Sequence, residues 1–175
     1  MAALLYLIDT LLSLAQLCFL LRLLLQWARA DFRNPLSRAL VQLTSPVLVP
    51  LRRVLPAIGR LDTASVVVVI ALGLLRVSMG TLLSGLGFPP LLLLLELATF
   101  QILRLILWTY FFAIAMYAVL SFIAPGSYSP AQALLTSLCE PVLRPFRRLI
   151  PPLANLDLSP LWAGILIQAL LILIH

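Results

Sequence analysis

Four apolar runs constrain this chain more than any other feature. They cover about Leu4–Ala28, Thr63–Leu86, Leu91–Ile123 and Leu158–Ile174. Roughly 18 or more apolar residues in a row read as a membrane-crossing helix, because about 20 residues at 1.5 Å rise span the hydrocarbon layer. Of the 175 residues, 63% are hydrophobic and 10% are charged, more apolar surface than a water-soluble domain of this size could bury. The expectation is an all-α membrane protein with four transmembrane helices. The first run carries Asp9 early, lacks a basic start and has no small-residue cleavage site, so it reads as a retained helix.

Between the runs lies a duplicated segment. Pro46-Val-Leu-Val-Pro50-Leu-Arg52-Arg53-Val-Leu-Pro56 recurs as Pro141-Val-Leu-Arg-Pro145-Phe-Arg147-Arg148-Leu-Ile-Pro151, offset by 95 residues without a gap. The register extends to Leu61-Asp62 and Leu156-Asp157, and upstream from Asn34-Pro35 to Ser129-Pro130. Repeats define the unit of a fold. The first unit is read as residues 1–90, with spans at about 4–28 and 63–86 around a basic segment at 29–62. The second is residues 91–175, with spans at about 99–123 and 158–174 around 124–157, its Leu91–Leu95 lead forming an interfacial preamble or an overlong tilted helix. Two spans per unit make the repeat parallel rather than inverted.

Net charge is +6, and every basic side chain is arginine. Six arginines lie between Arg29 and Arg60, and Arg144, Arg147 and Arg148 mark the second basic segment, whereas the N-terminus and the Gly85–Pro90 connection hold none. Arginine-rich short loops stay in the cytoplasm, so both basic segments are expected inside and both termini outside. Arginines beside membrane spans point to anionic headgroups rather than to nucleic acid.

Local signals in these segments are specific. Asn34 before Pro35 is a helix cap, Ser129 with Gln132 has capping-box spacing, and Asp62 and Asp157 stand where they can cap the following spans. Leu36, Ala39, Leu40, Leu43 and Val47 recur at helical spacing opposite Ser37, Arg38 and Gln42, which predicts an amphipathic helix of about ten residues. Pro46 and Pro50 are expected to interrupt it, with a second short basic helix up to Pro56. Such a helix belongs in the membrane interface, with Arg52, Arg53, Arg147 and Arg148 among the phosphates; the alternative is a packed cytoplasmic cap.

Ionisable groups inside spans are the default functional candidates. Asp9 and Arg104 occupy equivalent repeat positions with opposite charge, so they are expected to meet or to share a network with Arg76 and Glu96. The simpler expectation is four side chains that reach interfacial water independently. Arg22, one turn before Gln26 and followed by Trp27, reads as a snorkelling arginine with an aromatic anchor, or as a polar face toward the neighbouring basic helix. The middles of the second and fourth spans offer little polarity beyond Gly73 and Gln168, which argues against a monomeric pore and leaves an oligomeric one open. No zinc-protease, P-loop, dinucleotide or nucleophile-elbow motif is present, so no enzyme activity, metal or cofactor is expected. Cys18 lies in the first span and Cys139 in a basic segment, an unpromising pair for a disulfide.

The combination Gln26-Trp27, Asp31-Phe32, Asn34-Pro35, Pro46-x-x-x-Pro50-x-Arg52-Arg53-x-x-Pro56 and Leu61-Asp62, with the second basic copy, resembles the YggT family of bacterial membrane proteins across essentially the whole chain. The second copy has Ser129 for Asn34 and lacks the Asp31-Phe32 equivalent, so partner contacts through Asp31 and Asn34 would belong to the first repeat alone. The resemblance implies a multi-pass inner-membrane protein. Relatives are associated with osmotic or extracytoplasmic stress tolerance, with cell division in single-repeat forms, and with cytochrome b6 maturation in plastids. The resulting expectation is a scaffold or assembly factor that holds anionic lipid and a membrane-protein partner or a second copy of itself. The competing expectation is an oligomeric channel component responding to osmotic stress.

Overall fold

A computed structural model describes residues 2–57, 62–123, 129–149 and 157–174. Its described residues form six helices and no strand: α1 Ala2–Trp27, α2 Pro35–Val54, α3 Thr63–Leu83, α4 Leu91–Ile123, α5 Pro130–Leu149 and α6 Ser159–Leu173. Three are long and apolar enough to cross a membrane, at Leu5–Trp27, Thr63–Leu83 and Leu91–Ile123. Their outward side chains, among them Leu11, Leu14, Val67, Ile70, Phe112, Met116 and Val119, are large, apolar and exposed. Water does not tolerate so continuous an apolar exterior, whereas lipid requires it. The protein is a helical membrane protein. The third apolar run is one unbroken helix of 33 residues, so its leading leucines continue α4 rather than forming a separate preamble. Helix α6 has only 15 residues, about 22 Å at 1.5 Å per residue, and is shorter than the hydrocarbon layer.

The basic segments differ from the expected broken helices. Each is a single 20-residue helix that runs through both of its internal prolines. A proline removes one backbone donor and crowds the preceding turn, at about 3 kcal/mol each in a helix interior. In α2 the prolines are four residues apart on one exposed flank, so both missing rungs fall on the outer side. The inner row of Thr44 and Leu48 is buried and holds the helix in place. Residues Leu36, Leu43, Val47 and Val54 form an exposed apolar row on the same helix.

Local chemistry sets the helix ends. Helix α1 closes with Arg29 in the left-handed region at φ 55°, while the Ala30 amide bonds the Leu25 carbonyl at 2.9 Å. The Asn34 carboxamide oxygen accepts from the Leu36 amide at 2.9 Å, and Pro35 occupies the first helical position, where no donor is needed. Ser129 caps α5 by accepting from the Gln132 amide at 3.1 Å.

The chain divides into two compact units. The first comprises Met1–Leu23 and Gln42–Leu105, the second Leu24–Val41 and Ile106–His175. Within the first, Gly73 on α3 makes room for its neighbours: a Cβ there would lie 3.1 Å from both the Gln16 amide nitrogen and Ile102 Cδ1. Within the second, the Asn34 amide donates to the Pro130 carbonyl at 2.6 Å and ties the start of α2 to the start of α5. Helix α6 buries a narrow stripe of Ser159, Ala163, Ile167 and Leu171, and Trp108 stacks on Phe112 at 5.4 Å.

Candidate functional site

The duplicated double arginine divides its labour, and the division repeats. Arg52 turns inward from the end of α2 and grips Asp62, which stands at the N-cap of α3. Its Nε donates to Oδ1 at 3.2 Å while Nη2 reaches Oδ2, a two-pronged pair matched to carboxylate geometry. Asp62 is 1% exposed and also accepts from the Ser65 hydroxyl at 2.6 Å. Its carboxylate therefore serves side chains instead of capping the backbone of α3. Burial alone would raise the Asp62 carboxyl, but hydrogen bonds from Arg52 and Ser65 and the charges of Arg52 and Arg22 hold it below its ordinary value. Arg22 is buried too, donating to the Thr44 hydroxyl and, at 3.4 Å, to Ser45 on α2. It faces the basic helix rather than snorkelling.

The second unit builds the same clasp. Arg147 Nε donates to Asp157 at 2.8 Å, and its Nη1 and Nη2 donate to Glu140 at 2.6 Å and to the Tyr117 hydroxyl at 3.0 Å. The guanidinium also lies 6.0 Å from the centroid of the Tyr117 ring. Asp157 accepts from the Ser159 amide at 2.9 Å, so it bonds the first turn of α6 as well. Burial would raise the Asp157 carboxyl, yet the bonds from Ser159 and Arg147 keep it low. Burial would lower the Arg147 guanidinium, and Asp157, Tyr117 and Glu140 reverse the sign. Cys139 is fully buried and its thiol is pushed up to about 12 by that burial, which leaves it unreactive at neutral pH.

The 95-residue register makes the divergence legible. Arg22 corresponds to Tyr117, Thr44 to Cys139 and Ser45 to Glu140. The first clasp holds two arginines and one carboxylate, and the second one arginine and two carboxylates. Their net charges are thus +1 and −1. The second arginine of each pair, Arg53 or Arg148, is exposed, as are Arg38 and Arg144.

Unit one also carries a polar cluster inside its spans, buried at Gln16 and open at Asp9. Arg76 on α3 meets Asp9 on α1 at 2.9 and 3.2 Å, and donates to the Gln16 carbonyl at 3.1 Å. Gln16 is fully buried at the centre of the first span and donates to the Val69 carbonyl at 3.1 Å. With its amide oxygen turned to Arg76, Gln101 on α4 accepts at 2.9 Å and donates to the Gly73 carbonyl at 3.1 Å. Asp9 is thus paired with Arg76, its other expected neighbour Arg104 is half-buried further along α4, and Glu96 is exposed. Trp27 is exposed and Gln26 half-buried at the end of α1, while Asp31 caps its own turn by accepting from the Arg33 amide at 2.8 Å. Sequence reading passed over Gln16, Gln101 and Tyr117, because a lone glutamine or tyrosine in a span carries no periodic or charge signal, and Glu140, whose charge gains a role only where folding brings it to Arg147.

These features define a class: helical membrane proteins built on a twice-used proline- and arginine-bearing helix clasped to the foot of the next apolar helix. The chain belongs to the CCB3/YggT family, whose model matches residues 1–83 and 97–175. In the 95-residue register residue 97 stands opposite residue 2, so the family unit occurs twice. An uncharacterized protein of Pseudomonas aeruginosa is 43% identical over 92% of this chain and 82% of its own. YggT of Escherichia coli K12 is 35% identical over 92% and 83%, and an uncharacterized protein of Haemophilus influenzae 36% identical over 88% and 81%. No solved structure matches the chain.

Proposed function

We propose that this is a non-enzymatic, four-span inner-membrane protein that organises lipid and a membrane-protein partner, or a second copy of itself, through α2 and α5, in the service of osmotic or extracytoplasmic stress tolerance. The observation that carries this reading is the outward arginine on a helix with an exposed apolar row. On α2, Arg38 and Arg53 are exposed on faces turned away from the exposed row of Leu36, Leu43, Val47 and Val54, and Arg144 and Arg148 are exposed on α5. A helix of that pattern lies in the interface with its apolar row down and its cations among phosphates. The inward Arg52 and Arg147 are committed to Asp62 and Asp157, so they brace the helices instead of meeting lipid.

Replacing Arg38, Arg53, Arg144 and Arg148 by Gln should weaken binding of the purified protein to phosphatidylglycerol-containing mixed micelles and flatten its salt dependence, each lost cation being worth about 1 kcal/mol near an anionic surface. Binding and salt response equal to wild type would remove the lipid role. In this reading α6 is the fourth span, its short length met by local bilayer thinning, and arginine placement puts both basic helices in the cytoplasm. A C-terminal alkaline phosphatase fusion should be active and a C-terminal green fluorescent protein fusion dark; the reverse pattern would overturn the topology.

A further inference from the structure

One helix contact is closed in unit one and open at the equivalent place in unit two. In unit one Gly73 on α3 lies between two other helices. A Cβ there would sit 3.1 Å from the Gln16 amide nitrogen on α1 and 3.1 Å from Ile102 Cδ1 on α4. Gln101, next to Ile102, donates to the Gly73 carbonyl at 3.1 Å. The flanking Val69 and Ala98 are each only 3% exposed. In the 95-residue register the equivalents of Gln16, Val69 and Gly73 are Phe111, Gly164 and Gln168. These three line an open groove of about 360 Å³ between α4 and α6. Phe111 supplies the wall that Gln16 supplies in unit one, but no described residue stands in for Gln101 and Ile102. Gln168 is exposed, and its carboxamide has no hydrogen bond among the described residues. Its place in α6 is about 14 Å from the helix start at 1.5 Å per residue, near the middle of a hydrocarbon layer about 30 Å thick. A polar group at that depth requires a partner, and an acyl chain offers none.

The missing wall exists on this same chain. In the same register Ala98, Gln101 and Ile102 correspond to Ala3, Tyr6 and Leu7 on α1. All three are exposed, Tyr6 at 72% and Leu7 at 57%, and the Tyr6 hydroxyl has no hydrogen bond among the described residues. We propose that α6 of one molecule docks against the N-terminal half of α1 of a second molecule, with Leu7 entering the groove and the Tyr6 hydroxyl meeting the Gln168 carboxamide. The residues that line the two faces select this occupant. The equivalent seat on α3 carries a helix, and the helix face that fills it has its own equivalent exposed on α1. Gln168 calls for a hydrogen-bonding side chain, and Tyr6 stands at the position of the residue that bonds Gly73 in unit one. A Cβ at Gly164 would meet nothing within 4 Å, which is the room a second helix needs for close approach. The contact joins two different faces, so each molecule offers both halves and the copies form a ring or a row.

This inference rests on reading α6 as the fourth span. The two C-terminal fusions test that reading without reference to any second molecule, so its failure is seen separately from failure of the contact. Two full-length copies with different affinity tags, both with Cys18→Ala, would be co-expressed, one carrying Leu7→Cys and the other Gln168→Cys. Oxidation in native membranes should yield a disulfide that joins the two tags. Leu7→Cys paired with Leu75→Cys, an exposed position on α3, should not. Native mass spectrometry of wild type in mild detergent should show assemblies of two or more copies. Gly164→Phe, which occupies the groove from a position with open space around it, should leave monomer with unchanged helical content. Gln168→Leu should raise the dissociation constant roughly tenfold, about the value of one intramembrane hydrogen bond. A wild-type monomer in detergent together with no disulfide between tags in membranes would overturn the proposal. So would assemblies that Gly164→Phe leaves intact, or a disulfide that joins two Gln168→Cys copies in preference to the Leu7→Cys pair, which would assign the face to a symmetric contact. Lipid held by a wild-type monomer and lost from Gly164→Phe would also overturn it, by assigning the groove to lipid.

Discussion

Asp62→Asn is expected to destabilise the protein by about 3 kcal/mol, near the lower end for breaking a buried pair because Arg52 keeps partial access to solvent. The variant would leave Arg22 and Arg52 close together without their shared counter-charge, and would weaken the bond to Ser65. At this chain length such a loss lowers a thermal midpoint by roughly 6–12 °C. Tryptophan fluorescence on heating in detergent would read it. Asp157→Asn should cost clearly less, because Asp157 is far more exposed than Asp62 and Arg147 keeps Glu140 and Tyr117 as partners. Equal losses in the two variants would show that the clasps do not differ in burial as described. The pH dependence has a definite sign. A carboxyl held below its unfolded value contributes its full stabilisation at neutral pH and loses it as pH falls from about 3.9 through the folded value. Wild type should therefore lose stability in that acid range, and Asp62→Asn should lose less.

The second large effect concerns the intramembrane pair. Asp9→Leu is expected to cost about 2.5–3.5 kcal/mol, the range for leaving an arginine uncompensated within a bilayer. Arg76 is only 14% exposed and would keep just Gln16 and Gln101 as acceptors. Combining Asp9→Leu with Arg76→Leu should recover most of the loss, because the double variant leaves neither charge without its partner and apolar replacement of an ion pair is often near neutral. Thermal midpoints of the two single variants and the double variant form the required cycle. Simple additivity of the two losses would mean that the pair is not coupled. The network reads as polar glue between α1, α3 and α4, each member satisfied by another.

Much of this molecule was legible in its residues. Runs of leucine and valine announced the apolar helices, the arginine pairs located the basic helices, and Asn34-Pro35 and Ser129-Pro130 marked their starts. Two things were not legible. Prolines at 46 and 50 argued for broken helices, because local reasoning weighs the missing donor and cannot weigh the buried Thr44 and Leu48 row that holds α2 continuous. The partner of Asp9 was also open, since repeat symmetry favoured Arg104 while space around Gly73 brought Arg76, Gln16 and Gln101 into one cluster.

The one-dimensional pattern by itself determined the solvent, the repeat and the places where arginine clusters, because length, hydropathy and arginine bias act locally and add along the chain. Tertiary structure alone decided which arginine of each pair looks inward. Arg52 and Arg53 are chemically identical and adjacent, and only the position of Asp62 at the foot of α3 distinguishes them. It also decided that the two copies differ in sign. Tyr117 and Glu140 acquire meaning only when helix packing brings them to Arg147, at distances no spacing rule contains.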